Sequence, residues 1–234
     1  MKLSILVPIY NEELTINHII SKILKSDKLG LEYEIILIDD FSSDNSNKII
    51  SELSFLHSTI RVFKHSANRG KGASIRTGLL NANGDIIIIQ DADLEYDPME
   101  YPKLLKPIMS GYADVVYGSR FKSNQETRVL YFWHRIANGL LTIISNMFTN
   151  LNLTDMETGY KVFRKEILSN IIIKENRFGI EPEITAKISR IPKIKIFEVG
   201  ISYYGRTYAE GKKIGIKDAI RALYAIIRYN VFKY

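Results

Sequence analysis

Four consecutive isoleucines at residues 86–89 constrain the fold of this chain more than any other feature of its sequence. They follow Gly84 and Asp85, and Pro98 closes the polar segment after them. An uninterrupted apolar run between turn-forming residues is typical of a strand that is buried on both faces. Such strands lie in the middle of open α/β sheets, so the run predicts a sheet with helices on both sides.

Three carboxylates come after the isoleucines at alternate positions, namely Asp91, Asp93 and Glu95. Open α/β sheets bind their ligands beyond the carboxyl ends of the strands. Acidic groups gathered there are costly unless a cation compensates them. The pattern therefore predicts a hard divalent cation that carries a phosphorylated ligand. A polar loop with helix caps is the alternative.

Strand and helix patterns alternate in the first half of the chain. Strands are expected at residues 3–9, 34–38, 60–63, 86–90 and 115–116, and helices at residues 12–24, around 49–53 and at 73–81. This βαβα order predicts a parallel, doubly wound sheet. The less regular second half predicts helices at residues 128–148, 182–189 and 216–229, strands at 160–163 and 194–199, and a loop at 202–215.

The last predicted helix is amphipathic. Its apolar residues share one face, and basic residues line a neighbouring face: Ile216, Ile220, Leu223, Ile227 and Val231 on the first, Lys217, Arg221 and Arg228 on the second. The helix is expected either to pack on the sheet with its charges in solvent or to lie on an anionic membrane surface.

Length and composition bound the remaining possibilities. A chain of 234 residues fits one large α/β domain, and the absence of cysteine excludes disulfides and suits a reducing cytosol. No stretch approaches the roughly 20 apolar residues that span a bilayer. The net charge is +6, with many basic residues beyond position 120. Because no nucleic-acid-binding signature accompanies them, phosphorylated ligands or an anionic membrane are the expected partners, and nucleic acid is not.

Seven motifs follow one another in a fixed order: PIYNEE, DDFSSD, NRGKG, DADLE, GSR, TGYKVFR and GRTYAEGKK, beginning at residues 8, 39, 68, 91, 118, 158 and 205. Together they resemble the inverting family 2 glycosyltransferases of GT-A fold, in particular the dolichol- or polyprenyl-phosphate mannosyl- and glucosyltransferases. The resemblance covers nearly the whole chain. It implies an α/β fold with a Rossmann-like, mostly parallel central sheet flanked by helices, and a carboxyl-terminal acceptor-side subregion.

The resemblance also implies one domain over residues 1–234. A nucleotide-sugar-binding half is expected at residues 1–117 and an acceptor-binding half at residues 118–234. The second half would include a mobile loop at residues 202–215 and the final amphipathic helix.

Residue roles follow from the same resemblance. Asp91, Asp93 and Glu95 are expected to bind Mg²⁺ or Mn²⁺ at the diphosphate of a nucleotide-sugar, and oxygen ligands suit these ions better than zinc. Many relatives have Gln at the position of Glu95. The expected donor-binding residues are Pro8, Tyr10, Glu12, Asp39, Asp40, Lys71, Asp91, Arg206 and Lys212. Arg120 and Arg135 are expected at the acceptor phosphate, and Asp93, Arg120 and Arg206 are the expected catalytic residues.

Several of these residues have a purely structural alternative. Tyr10 could belong to the core rather than stack on a base, and the polar residues after the first two strands could be helix caps. Lys71 could meet solvent instead of a phosphate. Glu181 and Glu183 lie where family members that act on sugar hydroxyls often have a catalytic carboxylate. Either could instead begin a helix and be stabilised by its dipole.

The expected reaction is the transfer of a hexose from UDP-glucose, another UDP-sugar or GDP-mannose to undecaprenyl or dolichyl phosphate. A lipid phosphate is already an oxyanion near pH 7, since its second pKa is about 6. It needs positioning and charge compensation more than a base. The alternative is a non-processive transferase that acts on a saccharide hydroxyl in polysaccharide or glycolipid assembly. A third possibility is an inactive nucleotide-sugar-binding protein.

The same reasoning gives an expected location. The protein should act in the cytoplasm, peripherally on the cytoplasmic face of the membrane. Its own amphipathic segments or a separate membrane-protein partner would hold it there.

Overall fold

The computed structural model describes residues 1–122, 127–129, 131–207, 210–211 and 215–232. These residues form a central sheet between two layers of helices. The strands are β1 (Lys2–Ile9), β2 (Glu32–Asp39), β3 (Ile60–Lys64), β4 (Ile86–Ile89), β5 (Val115–Ser119), β6 (Lys161–Arg164) and β7 (Ile196–Gly200). The helices are α1 (Ile16–Lys25), α2 (Ser46–Leu56), α3 (Lys71–Asn81), α4 (Tyr101–Met109), α5 (Phe132–Thr149), α6 (Lys165–Ser169), α7 (Ile180–Ile188) and α8 (Ile216–Val231).

The strands form one sheet in the order β3-β2-β1-β4-β6-β5-β7. Neighbouring strands are parallel except around β6, which runs antiparallel to both β4 and β5. The expected mostly parallel α/β sheet is therefore confirmed, and the reversed strand is an addition that the pattern did not predict. Because β6 is reversed, its amino end lies at the same edge as the carboxyl ends of the other strands.

The isoleucine run forms the middle of the core, as expected. All four side chains of β4 are fully buried. Ile86 and Ile88 pack in the cluster that contains α1 and α4, whereas Ile87 and Ile89 pack in the cluster on the other side of the sheet, with α3 and α7. Because successive side chains of β4 point to opposite faces of the sheet, this one strand packs against both helical layers.

Four helices begin at other residues than expected, and one of them, α3, begins at Lys71 rather than residue 73. The first starts at Ile16 rather than residue 12, because Asn11 has a left-handed backbone (φ 51°) and the chain turns there. Helix α5 begins at Phe132 rather than residue 128. Helix α7 begins at Ile180 and so includes Glu181 and Glu183 in its first turn, where the dipole favours negative charge.

The expected apolar face of the last helix is not the face that packs. Helix α8 buries the side chains of Ala222, Ala225, Ile226 and Tyr229, and Ala225 lies against Ala186 of α7. Small alanine side chains allow the two helices to approach closely. The opposite, larger apolar residues remain exposed, as do those along α5: Ile220, Leu223, Ile227 and Val231 on α8, and Phe132, Ile136, Leu140, Ile143 and Met147 on α5. None of the described helices is long and apolar enough to span a bilayer.

Candidate active site

A cavity of about 850 Å³ opens at the carboxyl edge of the parallel strands. This volume suits a small-molecule ligand, and the position is where open α/β sheets bind theirs. The lining side chains come from the segments after β1, β2, β4 and β5, from the segment before β6, and from α3, α7 and the late loop. They include Pro8, Tyr10, Glu12, Asp40, Lys71, Asp91, Asp93, Glu95, Arg120, Glu157, Glu181 and Arg206.

Asp40 organises one end of the cavity. Its carboxylate accepts hydrogen bonds from the backbone N–H groups of Arg69 and Gly70, at 2.8 and 2.7 Å, and pairs with His65 Nδ1 at 2.7 Å. Gly70 has φ 93°, and a Cβ there would lie 2.4 Å from the backbone oxygen of Asn176. A glycine is therefore required in the turn that Asp40 holds.

The other residues predicted at this end separate into two groups. Pro8 and Tyr10 line the cavity, and Tyr10 is 40% exposed, which argues against the core-packing alternative. Asp39 is not among the described lining residues. It is buried and accepts hydrogen bonds from Ser42 N and Asn47 Nδ2 instead. Lys212 lies outside the described residues.

Arg206 occupies the centre of the acidic group that was predicted to bind metal. Its guanidinium donates to both oxygens of Glu12, at 3.1 and 3.2 Å, and to Asp93 Oδ2 at 3.3 Å. The backbone N–H of Arg206 donates to Glu95 Oε1 at 2.7 Å, and Tyr203 donates to Glu95 Oε2 at 2.9 Å. Tyr203 and Arg206, in the segment after β7, are thus anchored to these carboxylates.

The acidic group carries more negative charge than its surroundings neutralise. Burial, together with repulsion from Asp91 and Glu95, raises the pKa of Asp93 to about 7, although Arg206 acts in the opposite direction. In the described part of the chain, no three Asp, Glu, His or Cys side chains are grouped so as to hold a metal ion together. The donor chemistry nevertheless fits, because the hard oxygens of Asp91 and Asp93 would hold a divalent cation once Arg206 leaves Asp93.

We expect Arg206→Gln to strengthen Mn²⁺ binding to the nucleotide-free protein about tenfold, which corresponds to about 1.4 kcal/mol. The reason is that the metal and the guanidinium compete for the same carboxylate. Titration followed by electron paramagnetic resonance of free Mn²⁺ measures the affinity. Arg128→Gln removes the same charge from an arginine that pairs with Glu210 rather than with Asp93. Equal affinities in the two variants would contradict this competition.

A line of buried ion pairs runs from the acidic group into the second helical layer. Lys71 Nζ lies 2.7 Å from Asp91 Oδ1 and 3.4 Å from Glu181 Oε1, and the buried Lys161 pairs with Glu181 Oε2. Burial would lower the pKa of Lys71, but Asp91 and Glu181 together raise it, so the lysine stays charged. Glu181 therefore lies between two lysines.

Glu183 has a structural role in this fold. It accepts from the backbone N–H groups of Lys174 and Glu175 and pairs with Lys187. It is not among the described residues that line the cavity. Both glutamates thus agree with the helix-start interpretation.

Arg120 also lines the cavity, and a buried carboxylate holds it in place. Its guanidinium binds both oxygens of the fully buried Asp155, each at 2.7 Å. Burial would lower the pKa of Arg120, but Asp155 raises it well above the usual value, so the side chain carries its charge into the cavity wall. Arg135 is exposed and is not among the described lining residues. The guanidinium carbons of Arg120 and Arg135 nevertheless lie 5.5 and 4.4 Å from the ring centre of Phe121.

The sequence patterns did not single out three residues of this site: Asp155, Glu157 and Tyr203. Asp155 and Glu157 precede β6, and only the reversed direction of that strand brings them to the edge where ligands bind. Tyr203 lies before Arg206 and contacts both Glu95 and Arg120. The sequence does show Asp155 and Glu157 just before the TGYKVFR motif. It does not show that β6 runs in the reverse direction, which is what places them at the site.

Comparisons with known proteins agree with this geometry. Residues 4–172 match the profile of Glycosyl transferase family 2. The chain is 28% identical, over 98% of its length, to a dolichol-phosphate mannosyltransferase of Pyrococcus furiosus. It is 29% identical, over 90% of its length, to an undecaprenyl-phosphate 4-deoxy-4-formamido-L-arabinose transferase of Proteus mirabilis. It spans 65% and 62% of those two proteins.

Solved structures show the same fold. Glucosyl-3-phosphoglycerate synthase of Mycobacterium tuberculosis, solved with Mn²⁺, uridine diphosphate and phosphoglyceric acid, aligns over all of this chain and 80% of its own with a TM-score of 0.75. The sequence identity is 18%, so this likeness concerns the fold.

Proposed function

Because the chain belongs to glycosyl transferase family 2, we propose that it transfers a hexose from a nucleotide-sugar to a polyprenyl phosphate. The observation that carries the proposal is one cavity that is lined both by an acidic group and by an arginine held by a buried carboxylate. The first suits a metal-bound diphosphate, and the second suits the phosphate of an acceptor. The lipid-phosphate acceptors named for the two sequence relatives support the same reaction.

The donor would lie across the carboxyl edge of the sheet. Its base and ribose would meet Pro8, Tyr10 and Asp40, and its diphosphate would reach Asp91 and Asp93. Lys71, Arg206 and the undescribed Lys212 would add positive charge around the phosphates. Mg²⁺ or Mn²⁺, when bound, would neutralise the charge that develops on the departing nucleoside diphosphate. The Mn²⁺ in the solved structural relative supports a divalent ion here.

The acceptor phosphate would bind at Arg120 and Arg135, which meet around Phe121. One of its oxygens would form the new bond to the anomeric carbon as the bond to the diphosphate breaks, with inversion of configuration. No general base is needed, because the phosphate is already ionised. Most of the donor site would thus lie in residues 1–117 and the acceptor site in residues 118–234, whose loop at residues 202–215 would reach the donor phosphates.

The exposed apolar residues of α5 and α8, here called the apolar stripe, support peripheral attachment to a membrane, and we propose its cytoplasmic face. Exposed Phe132, Ile136 and Ile143 share a face of α5, and Trp133 is both exposed and part of the cavity wall. A lipid surface that covers this stripe would bring the headgroup of a polyprenyl phosphate to the cavity entrance. The lipid-phosphate acceptors named for the two sequence relatives agree with this surface beside the site.

We expect the double variant Ile143→Ser/Met147→Ser to bind mixed phosphatidylglycerol and phosphatidylcholine vesicles at least about tenfold more weakly. Burial of each side chain contributes about 1.5–3 kcal/mol. Phe55→Ser/Leu80→Ser is the matched control, because those side chains are 91% and 87% exposed on α2 and α3, against 58% and 79% for the tested pair. Vesicle sedimentation at several salt concentrations measures binding. Equal losses in both variants would contradict a membrane-facing stripe.

The proposed reaction is tested by a transfer assay. The protein is incubated with UDP-glucose, UDP-galactose or GDP-mannose, a short polyprenyl phosphate, and Mg²⁺ or Mn²⁺, with and without a chelator. Metal-dependent lipid-linked sugar with one donor supports the proposal. Donor hydrolysis without lipid product favours a saccharide acceptor, and inertness with all donors argues against the reaction.

One observation favours the alternative acceptor, a saccharide hydroxyl, which requires a general base. Burial and repulsion from Glu181 raise the pKa of the cavity-lining Glu157 to about 7, and a base is most effective when its pKa lies near the working pH. Loss of the reaction with hydroxyl acceptors in Glu157→Gln would support this function.

A further inference from the structure

We propose that Glu157 binds hydroxyl groups of the transferred sugar and determines which donor sugar the protein accepts. This inference rests on the proposed function, since it concerns the same donor in the same cavity. Glu157 lies immediately before the TGYK segment that leads into β6. It has no role in the expectations drawn from the sequence.

The order of the strands fixes where the sugar would lie. Across the sheet the order is β2, β1, β4, β6 and β5. Asp40 follows β2, and Asp91 and Asp93 follow β4, so a nucleotide whose base is near Asp40 and whose diphosphate is at β4 points its sugar toward β6. Glu157, just before β6, and Arg120, just after β5, border that part of the cavity.

The segment that carries Glu157 lies directly against the diphosphate position. A Cβ on Gly159 would lie 2.3 Å from Asp91 Oδ2 and 3.1 Å from Lys71 Nζ. The backbone N–H of Gly159 donates to Tyr96 Oη at 3.0 Å, which fixes this segment below the acidic group. A sugar attached to a phosphate at Asp91 would therefore be within reach of the Glu157 side chain.

Glu157 has an oxygen without a partner. Its Oε1 is enclosed and accepts no hydrogen bond from any described residue. Leaving a buried acceptor unpaired costs about 1–3 kcal/mol, so the position favours a ligand that donates to it. Sugar hydroxyl groups are such donors. Burial, followed by repulsion from Glu181, raises the pKa of Glu157 to about 7, so the carboxyl group can also donate when protonated.

Neighbouring carboxylates are bound by cations of the chain itself. Both oxygens of Asp155 pair with Arg120, and Glu181 lies between Lys71 and Lys161. Of these three carboxyl groups at the sugar end of the cavity, Glu157 and Glu181 each have an Oε1 that accepts no hydrogen bond from a described residue, but Glu181 Oε1 lies 3.4 Å from the charged Lys71 Nζ. Glu157 Oε1 is therefore the acceptor that depends most on a ligand. A site that hydrogen-bonds one hydroxyl discriminates strongly against a sugar that lacks it or points it elsewhere.

The test compares Glu157→Ala and Glu157→Gln with a matched control, Glu100→Gln. Glu100 also has a buried oxygen without a hydrogen-bond partner among the described residues, but it does not belong to the described cavity wall. Calorimetry with Mn²⁺ measures the affinities for UDP, GDP, UDP-glucose, UDP-galactose and GDP-mannose. Initial rates give kcat/KM for each donor that is transferred.

We expect the preference between the best sugar and its epimer to fall at least about tenfold in Glu157→Ala and less in Glu157→Gln, which keeps one acceptor. Affinity for the free nucleoside diphosphate should stay within about twofold of the wild type, and the control should keep the wild-type preference. Unchanged preference in both Glu157 variants would overturn the proposal. So would an equal loss of rate for every sugar with unchanged donor affinity, which indicates a general base. A wild-type protein that binds no nucleotide-sugar would overturn the proposed function and this inference with it.

Discussion

Replacement of Asp93 by asparagine is expected to reduce sugar transfer at least about a thousandfold without loss of the fold. Asp93 is a predicted metal ligand, and the charge it helps to hold would stabilise the departing diphosphate. Loss of such a transition-state interaction costs about 4 kcal/mol, or a factor of about a thousand. Initial rates of transfer with saturating donor and metal give the effect.

The fold should tolerate this change because the Asp93 carboxylate is not a stabilising charge. Burial and repulsion from Asp91 and Glu95 already raise its pKa to about 7, so a neutral side chain removes repulsion. The melting temperature in the absence of metal should therefore stay equal or rise. Asp85→Asn is the control, since Asp85 precedes β4 at the opposite end of the strand and is exposed. Normal transfer by Asp93→Asn would contradict the assignment.

Replacement of Asp155 by alanine is expected to destabilise the protein by about 3–5 kcal/mol. The carboxylate is fully buried and binds the guanidinium of Arg120 through two hydrogen bonds of 2.7 Å. Its removal leaves a buried arginine without a counter-ion, which is more costly than the loss of the pair itself. The free energy of unfolding from urea denaturation measures the change.

An exposed ion pair provides the comparison for this prediction. Lys22 pairs with Asp97 at 3.0 Å, and its side chain is about half exposed. Lys22→Gln should cost less than about 1 kcal/mol, because solvent screens such pairs. If Asp155→Ala also costs less than about 1 kcal/mol, then Arg120 finds another partner or enters solvent, and the rigid arginine is not a feature of the site.

Local patterns were sufficient to predict the middle of the sheet and the acidic group. The isoleucines of β4 are buried on both faces of the sheet. Asp91 and Asp93 follow β4 at the edge where ligands bind. Both conclusions depend on neighbours in the sequence. The motif order then indicated the family, and the family profile matches residues 4–172.

Long-range geometry could not be predicted in the same way. The reversed direction of β6 is decided by its pairing with β4 and β5, and with it the positions of Asp155 and Glu157. Similarly, the periodicity of apolar residues predicted which residues of α8 share a face, but not which face packs against the rest of the protein. Ala222 and Ala225 decide that, because they let α8 approach its neighbouring helices closely.

A direct comparison of acceptors tests whether the protein transfers its sugar to a polyprenyl phosphate. The measurement is the initial rate of transfer from the active donor to a short polyprenyl phosphate, to the corresponding polyprenol, and to simple saccharides, with products identified by mass spectrometry. We expect a lipid-linked sugar phosphodiester from the phosphate and no product from the alcohols. Efficient transfer to a polyprenol or a saccharide, with none to the phosphate, would contradict this expectation.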